Sequence, residues 1–201
     1  MLRRKPNTMP TRNGTRNTSK KIVETLSFKI VTESVNHEAL LEQMIVDYDG
    51  MEACELPILL SCVRALAFVH QIGHWTASAD TFYGDHLLFE RLYNSTNEEV
   101  DKVAEKAIGT SSMVMIHPVQ QVTHEALVVE AMCSNLSEMP TSNDLTQRSY
   151  EAEMHFLGIL ELLYKRMETN GTLSLGVDNF LQGLADNHEA SIYLLKQRMG
   201  G

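Results

Sequence analysis

The sequence of 201 residues is 43% hydrophobic and 21% charged, a composition typical of one globular domain with a sizeable core. We see no apolar run close to the roughly 20 residues that a membrane helix requires, and we therefore expect no membrane partner. The three cysteines are odd in number and lack CxxC spacing, which favours a reduced, cytoplasmic location over a disulfide-bonded secreted one.

Positive charge is concentrated at the start of the chain. The net charge is −9, yet residues 1–21 hold seven of the 17 basic residues and no acid, so ten basic residues remain against all 26 acids. The basic residues of this tail are Arg3, Arg4, Lys5, Arg12, Arg16, Lys20 and Lys21. A basic arm on a body of about −16 indicates that the arm, and not the body, binds a polyanion.

Residues 1–21 are rich in Thr, Asn and Arg and have almost no apolar side chains to bury, which predicts a disordered tail. Three interpretations remain open: a DNA-binding arm, an inert solvated tail and an organelle transit peptide. No aromatic residue is interleaved with the basic ones. DNA binding by this tail would therefore be independent of base sequence and sensitive to salt.

From residue 22 onward the pattern is mainly helical. Residues 22–50 form an N-terminal extension in which HEALLEQMIVDY has helical spacing, while the segment before it could be helical or extended. Four long amphipathic segments follow. The first has Pro57 in its first turn, and Ser78 with Asp80 is expected to cap the start of the second.

A shorter helix follows His117-Pro118, between the second and third long segments. Asn170-Gly171 is a stop signal at the end of the third long segment. Four long helices with one short connecting helix between the second and third predict an all-α, ferritin-like four-helix bundle over residues 51–201.

One face of the second long helix carries an imidazole and three carboxylates. At about 100° per residue, His86, Glu90, Asp101 and Glu105 fall within a stripe roughly 100° wide. Asp101 and Glu105 are one turn apart and repel each other, which neighbouring lysines would relieve in part and a bound cation fully. Imidazole with carboxylates favours iron, manganese or zinc. The alternative is a solvated acidic face that carries a histidine by chance.

Distance divides this stripe into two parts. Glu90 and Asp101 are about 16 Å apart along a helix, so one ion cannot contact both. His74, near the end of the first long helix, can join His86 and Glu90. The sequence therefore allows either two weak half-sites or a composite site in which two antiparallel chains complete each other.

Five residues of metal-binding type have a spacing that resembles the ferroxidase pattern of the Dps mini-ferritins: His74, His86, Glu90, Asp101 and Glu105. The resemblance covers about residues 52–199 and includes the last helix, LADNHEASIYLLKQ. It implies iron sites between two-fold related subunits, where one chain supplies the first three residues and its partner the last two. It also implies that Trp75 lies near the iron and takes up oxidising equivalents.

By this resemblance the chain is expected to be a ferroxidase, that is, an oxidoreductase that oxidises iron(II), preferentially with hydrogen peroxide. It would form a hollow dodecamer, store ferric iron, protect DNA from oxidative damage and bind DNA through its tail. Glu90 stands where the family most often has Asp, and Ser78-Ala79 replaces a frequent Gly-Pro. The first departure keeps open an alternative, a DNA-compacting structural cage with little ferroxidase activity.

A ferritin-type site inside a single bundle is a third hypothesis, and it requires Glu-x-x-His pairs on two helices. No Glu in the sequence has a His three residues later, which weighs against it. His70 is expected to be a hydrogen-bonded core histidine. No role is assigned to four scattered histidines, which are His117, His124, His155 and His188.

Overall fold

The computed structural model describes residues 36–48, 53–110, 116–133 and 140–200, so the basic tail and the first part of the extension lie outside the described residues. These ranges contain one 3-10 turn, Ala79–Thr81, and the α-helices α1 (His37–Val46), α2 (Glu55–Thr76), α3 (Phe82–Thr110), α4 (Pro118–Cys133), α5 (Ser142–Asn170) and α6 (Leu175–Arg198). Helices α2, α3, α5 and α6 are the four long helices, and α4 is the short connecting helix. The all-α four-helix bundle is confirmed, and the described ranges hold no β-strand.

Helix α2 is a core helix, with 15 of its 22 residues buried. It contacts α3, α4 and α5, so most of its circumference is covered by other helices. By length and composition α2 is apolar enough to cross a membrane, which corrects the expectation that the sequence has no such run. The bundle buries 78% of the apolar window of this helix, and burial on several sides is the physical reason for its apolar composition.

Local sequence signals set the ends of the later helices. Thr141 begins α5 with a capping box, in which its hydroxyl oxygen accepts from the backbone N–H of Asp144 and the Asp144 side chain accepts from the backbone N–H of Thr141. Gly171 ends α5 at φ 70°, in the left-handed region that favours glycine, as predicted. The expected cap at Ser78 is wrong, because the 3-10 turn precedes α3 and the Ser78 side chain makes no cap hydrogen bond.

Helix α1 packs on the same core as the bundle. Its side chains Leu40, Leu41 and Met44 are buried among those of the long helices. At the start of α1, Nε2 of His37 is hydrogen-bonded to Nδ1 of His155 in α5 at 2.9 Å. The described part of the N-terminal extension is therefore anchored on the bundle.

Candidate metal centre

Helices α2 and α3 pack closely near the end of α2. A Cβ atom added to Gly73 would lie 2.9 Å from Cδ1 of Phe89, closer than side-chain carbon atoms normally come. Phe89 is fully buried, and protein interiors are close-packed, so a shift of its ring would disturb the neighbouring core. Glycine at position 73 thus permits the short separation at which the next residue, His74, meets α3.

His74 of α2 and His86 of α3 hold each other by crossed hydrogen bonds. Nδ1 of His74 donates to the backbone carbonyl of His86 at 3.0 Å, and Nδ1 of His86 donates to the carbonyl of His74 at 3.1 Å. The two rings stack with centroids 3.8 Å apart. Because a carbonyl oxygen only accepts, each Nδ1 carries a proton, and the neutral form of each ring then has its lone pair on Nε2. In this tautomer Nε2 is available to a metal ion.

The three carboxylates of the stripe have no protein partner within the part of the chain that the structure describes. Glu90 is partly exposed, whereas Asp101 and Glu105 are exposed, and none of them forms a hydrogen bond or ion pair with a described residue. Nζ of Lys106 lies over the ring of Phe180, 5.4 Å from the centroid, and forms no ion pair with either Asp101 or Glu105. The carboxylates remain free to bind a cation.

The predicted ligands occupy two places on one subunit. The structure brings His74 and His86 together where α2 meets α3, and Glu90 follows His86 by one helical turn on α3. We call these three residues the histidine half-site. Asp101 and Glu105, the acidic pair, begin about 16 Å further along α3. Across the described residues of one chain, no three His, Cys, Asp or Glu side chains converge on a position that a metal ion could occupy.

Exposed apolar side chains surround the histidine half-site. Trp75 is 61% exposed, Phe82 46% and Tyr83 75%. Leu87 is also exposed, and Phe82 contacts the ring of His86 with centroids 5.0 Å apart. Large apolar side chains gathered beside polar groups are typical of an interaction surface, because leaving them in water is unfavourable.

The bundle is similar to the X-ray structure of Dps from Thermosynechococcus elongatus, with a TM-score of 0.58 and coverage of 81% of this chain and 94% of that chain. The chain has the Dps fold. Sequence identity to that protein is 15%, so the likeness is one of fold. No protein-family model and no curated protein matches the sequence. The resemblance that the spacing predicted is confirmed at the level of the Dps fold.

A second group of metal-binding side-chain types lies inside this Dps-fold bundle, one from each long helix. We call this group the interior network: His70, Glu99, Glu153 and His188, each at most 2% exposed. The carboxylate of Glu153 accepts from Nε2 of His70 at 2.9 Å and from Nδ1 of His188 at 2.7 Å. Nε2 of His188 lies 2.9 Å from Oε2 of Glu99, whose Oε1 accepts from Nδ2 of Asn187 at 2.9 Å.

Opposing effects set the charge of the interior network. Burial by itself raises the pKa of Glu153, but the charge of His188 and the hydrogen bonds from both imidazoles outweigh burial and lower the pKa. Burial likewise lowers the pKa of His188, but its two carboxylate neighbours outweigh burial and raise the pKa. Both shifts favour the charged forms of His188 and Glu153, that is, an imidazolium beside a carboxylate.

Sequence reasoning identified one member of the interior network and missed the others. His70 is confirmed as a hydrogen-bonded core histidine. The four members are separated by 29, 54 and 35 residues, so no local spacing connects them. The only sequence signal is that each lies on a helix face that is otherwise apolar, and this signal does not reveal which faces meet.

Proposed function

We propose that this chain oxidises iron(II) at sites shared between two copies of itself and stores the ferric product in a hollow assembly. The observation that carries the proposal is the crossed hydrogen bonding of His74 and His86, which leaves the Nε2 atoms of both rings free. Glu90 follows His86 by one turn of the same helix. Imidazole nitrogens with carboxylates suit iron(II). The Dps fold supports an iron-storing protein.

Each site would combine the histidine half-site of one subunit with the acidic pair of a second subunit. When two α3 helices lie antiparallel about a two-fold axis, the histidine half-site of each chain lies opposite the acidic pair of the other chain. The two parts that are too far apart within one chain can thus meet across the dimer. The exposed apolar surface around Trp75 supports this contact, because a second subunit would cover it. Two-fold dimers of this kind are the units from which a dodecamer is built.

The chemistry follows from the ligands. Neutral Nε2 atoms and ionised carboxylates bind iron(II), and the carboxylates stabilise the higher charge of iron(III). Two iron(II) ions lose one electron each, and one hydrogen peroxide with two protons accepts both electrons and becomes two water molecules. Trp75, which follows His74 in the sequence, would take up a single oxidising equivalent that escapes this reaction. Iron and peroxide are consumed together, so hydroxyl-radical formation is suppressed.

The proposal extends to DNA through the basic residues of the tail. An assembly displays many copies of residues 1–21, and weak contacts of many tails with phosphates add up to firm binding. In the cytoplasm this binding would place the assembly on the nucleoid, where the removal of iron and peroxide protects DNA from oxidative damage.

The decisive experiment is the rate of iron(II) oxidation by the purified chain with stoichiometric peroxide under anaerobic conditions. We expect rapid oxidation, with the ferric iron remaining soluble and migrating with a large assembly. A rate no greater than that of protein-free buffer would contradict the ferroxidase proposal and would favour a DNA-compacting structural cage.

A further inference from the structure

Helices α5 and α6 leave an open groove of about 270 Å³ between them. Four apolar side chains form its floor, of which Leu160 and Leu181 are buried and Leu157 and Ala185 are partly exposed. A cavity of about 150 Å³ holds a benzene ring, so the groove has room for a phenylalanine ring and a second apolar side chain. An apolar floor that is left in water favours an apolar occupant.

Three of the four polar side chains that line the groove are engaged elsewhere. The hydroxyl group of Tyr164 donates to Oδ1 of Asp178 at 2.9 Å, and Nε2 of Gln182 donates to the same oxygen at 2.7 Å. Nζ of Lys165 lies 2.6 Å from Oε1 of Glu161. Because few polar atoms are left to orient a polar ligand, the groove favours a hydrophobic peptide segment over a polar small molecule.

The part of the N-terminal extension that precedes α1 is rich in apolar residues. Seven of the 14 residues from 22 to 35 are hydrophobic. Among them, Leu26, Phe28 and Ile30 alternate with polar residues, and we call residues 26–30 the alternating segment. Successive side chains of an extended chain point to opposite sides, so this alternation indicates an extended segment with one apolar face.

The alternating segment and the groove have similar lengths. Leu157 and Tyr164 are the first and last residues of α5 that line the groove, and seven residues correspond to about 10 Å along a helix. In an extended chain at about 3.3 Å per residue, Leu26 and Ile30 are about 13 Å apart. Three side chains on one face of such a chain therefore cover the groove from end to end.

The described chain begins within reach of the groove. Asn36 caps α1, and Nε2 of the next residue, His37, is hydrogen-bonded to Nδ1 of His155 on α5 at 2.9 Å. Leu157 follows two residues later on α5, and its side chain leaves the helix about 200° away from that of His155. The path halfway around a helix about 10 Å wide is about 16 Å long, and the extended chain from Asn36 back to Ile30 spans about 20 Å.

We infer that the alternating segment lies in extended form in the groove between α5 and α6 of its own chain, with Phe28 on the apolar floor and Lys29 in the solvent. This contact removes apolar side chains of the segment and of the groove from water, while the outer side of the segment stays hydrated. The groove and the surface around Trp75 lie on different helices, so this docking leaves the proposed dimer contact free and does not depend on iron(II) oxidation. Docking fixes the point from which the basic residues 1–21 leave the bundle.

Photo-crosslinking in the assembled, full-length chain tests the inference. Phe28 is replaced by p-benzoylphenylalanine, which on irradiation bonds to groups that it contacts, and mass spectrometry of the digested product identifies the attached peptide. We expect attachment within residues 157–189 of the same chain, so the product should migrate as a monomer on a denaturing gel. Replacement of Lys29 by the same residue is the matched control, and it should label the groove at least about 10-fold less because position 29 faces the opposite side.

Three results of this experiment would overturn the assignment. Attachment to the groove in a covalent dimer would show that the segment of a second copy fills it. A lack of attachment to α5 and α6 would show that the groove does not hold the segment. Equal labelling from positions 28 and 29 would show that the segment has no apolar face directed at the groove.

A matched pair of substitutions on α6 provides a second test. Ala185 lines the groove, whereas Ala190 is exposed on another face of the same helix. Arginine in place of Ala185 would displace the alternating segment, and chymotrypsin should then cleave after Leu26 or Phe28 at least about 10-fold faster than in the unchanged chain. Ala190→Arg should leave this rate unchanged.

Circular dichroism shows whether both variants keep their helices. Equal cleavage rates in folded Ala185→Arg, in Ala190→Arg and in the unchanged chain would contradict docking of the segment. If Ala185→Arg does not fold, the photo-crosslinking result decides, because it is obtained with an unchanged groove.

Discussion

The Cα atom of Gly73 faces the ring of Phe89 with no space for a side chain, and this contact sets how closely α2 and α3 pack beside the histidine half-site. Gly73→Ala is expected to lower the free energy of unfolding by about 1 kcal/mol. Overpacking costs about 1–3 kcal/mol, and the higher helix propensity of alanine offsets about 1 kcal/mol of it. We also expect a lower rate of iron(II) oxidation than in the unchanged chain, because the added methyl group moves His74 and His86 apart.

Gly183→Ala is the matched control for this substitution. Gly183 lies in the exposed part of α6, and a Cβ atom there would meet nothing within 4 Å. We expect a gain in unfolding free energy of up to about 1 kcal/mol and an unchanged oxidation rate. Chemical denaturation and stopped-flow oxidation measure the two quantities, and equal losses in both variants would show that the contact with Phe89 is not the cause.

Mixing two inactive variants tests whether the iron site is shared between subunits. His86→Ala and Asp101→Ala are each expected to slow iron(II) oxidation markedly without changing the assembly. When equal amounts are unfolded and refolded together, half of the dimers pair one variant with the other, and one of their two sites carries neither change. About a quarter of the unchanged activity should therefore return. A site contained within one chain gives no recovery, and each variant refolded alone is the control.

Helix α1 is expected to loosen in mild acid. Burial lowers the pKa of His37, and burial together with the nearby His37 lowers the pKa of His155 to about 4. As the pH falls from about 6.5 to about 4, the unfolded chain takes up protons that the folded chain does not. The free energy of unfolding is thus highest above pH 6.5. Between about pH 6.5 and pH 4 the titration of His155 lowers it by about 1.4 kcal/mol per pH unit.

Hydrogen exchange of the amides in α1, measured across this pH range, reports the loosening. His155→Gln keeps a hydrogen-bonding side chain and removes the titration. The protection of the α1 amides, expressed relative to their intrinsic exchange rate at each pH, should then become almost independent of pH. His117→Gln is the control because His117 is exposed, and it should leave the pH dependence intact. A pH dependence that persists in His155→Gln would assign the effect to another group.

Removal of residues 1–21 is expected to abolish retardation of DNA on a gel and to leave iron(II) oxidation unchanged. The tail supplies seven positive charges, whereas the remainder of the chain is strongly negative and repels DNA. Replacement of the seven basic residues by glutamine keeps the length of the tail and should have the same effect. Retardation of DNA by the truncated chain would show that the tail is not the DNA-binding element.

The contact between His74 and His86 could be predicted from the sequence because it depends on one short connection. His86 and Glu90 are one turn apart on one helix, and His74 lies at the end of the helix before it, so a short connection suffices to join them. The entry to α3 was predicted less well. Its cap was assigned to Ser78, but Ala79 adopts φ 65° and the chain makes a 3-10 turn before the α-helix begins.

The interior network could not be predicted from spacing, because its members meet only through tertiary packing. Each long helix contributes a single residue, and the pairing of Glu153 with His70 and His188 depends on the rotation and height of three helices. Helical periodicity gives the face on which each residue lies and gives no information on the neighbouring helix. The absent Glu-x-x-His motif weighs against a ferritin-type site and gives no information on which of these four residues meet.

Each long helix contributes one ionisable residue to the interior network, and this arrangement affects how the helices align when the chain folds. Apolar faces tolerate sliding, since one aliphatic side chain replaces another with little change in energy. A slip of α6 by one turn, about 5.4 Å, would remove His188 from Glu153 and leave a carboxylate without its counter-ion in a dry interior. Bundles with a shifted helix are thereby much less stable than the native one. The interior network thus selects one position of each of the four helices along the bundle axis.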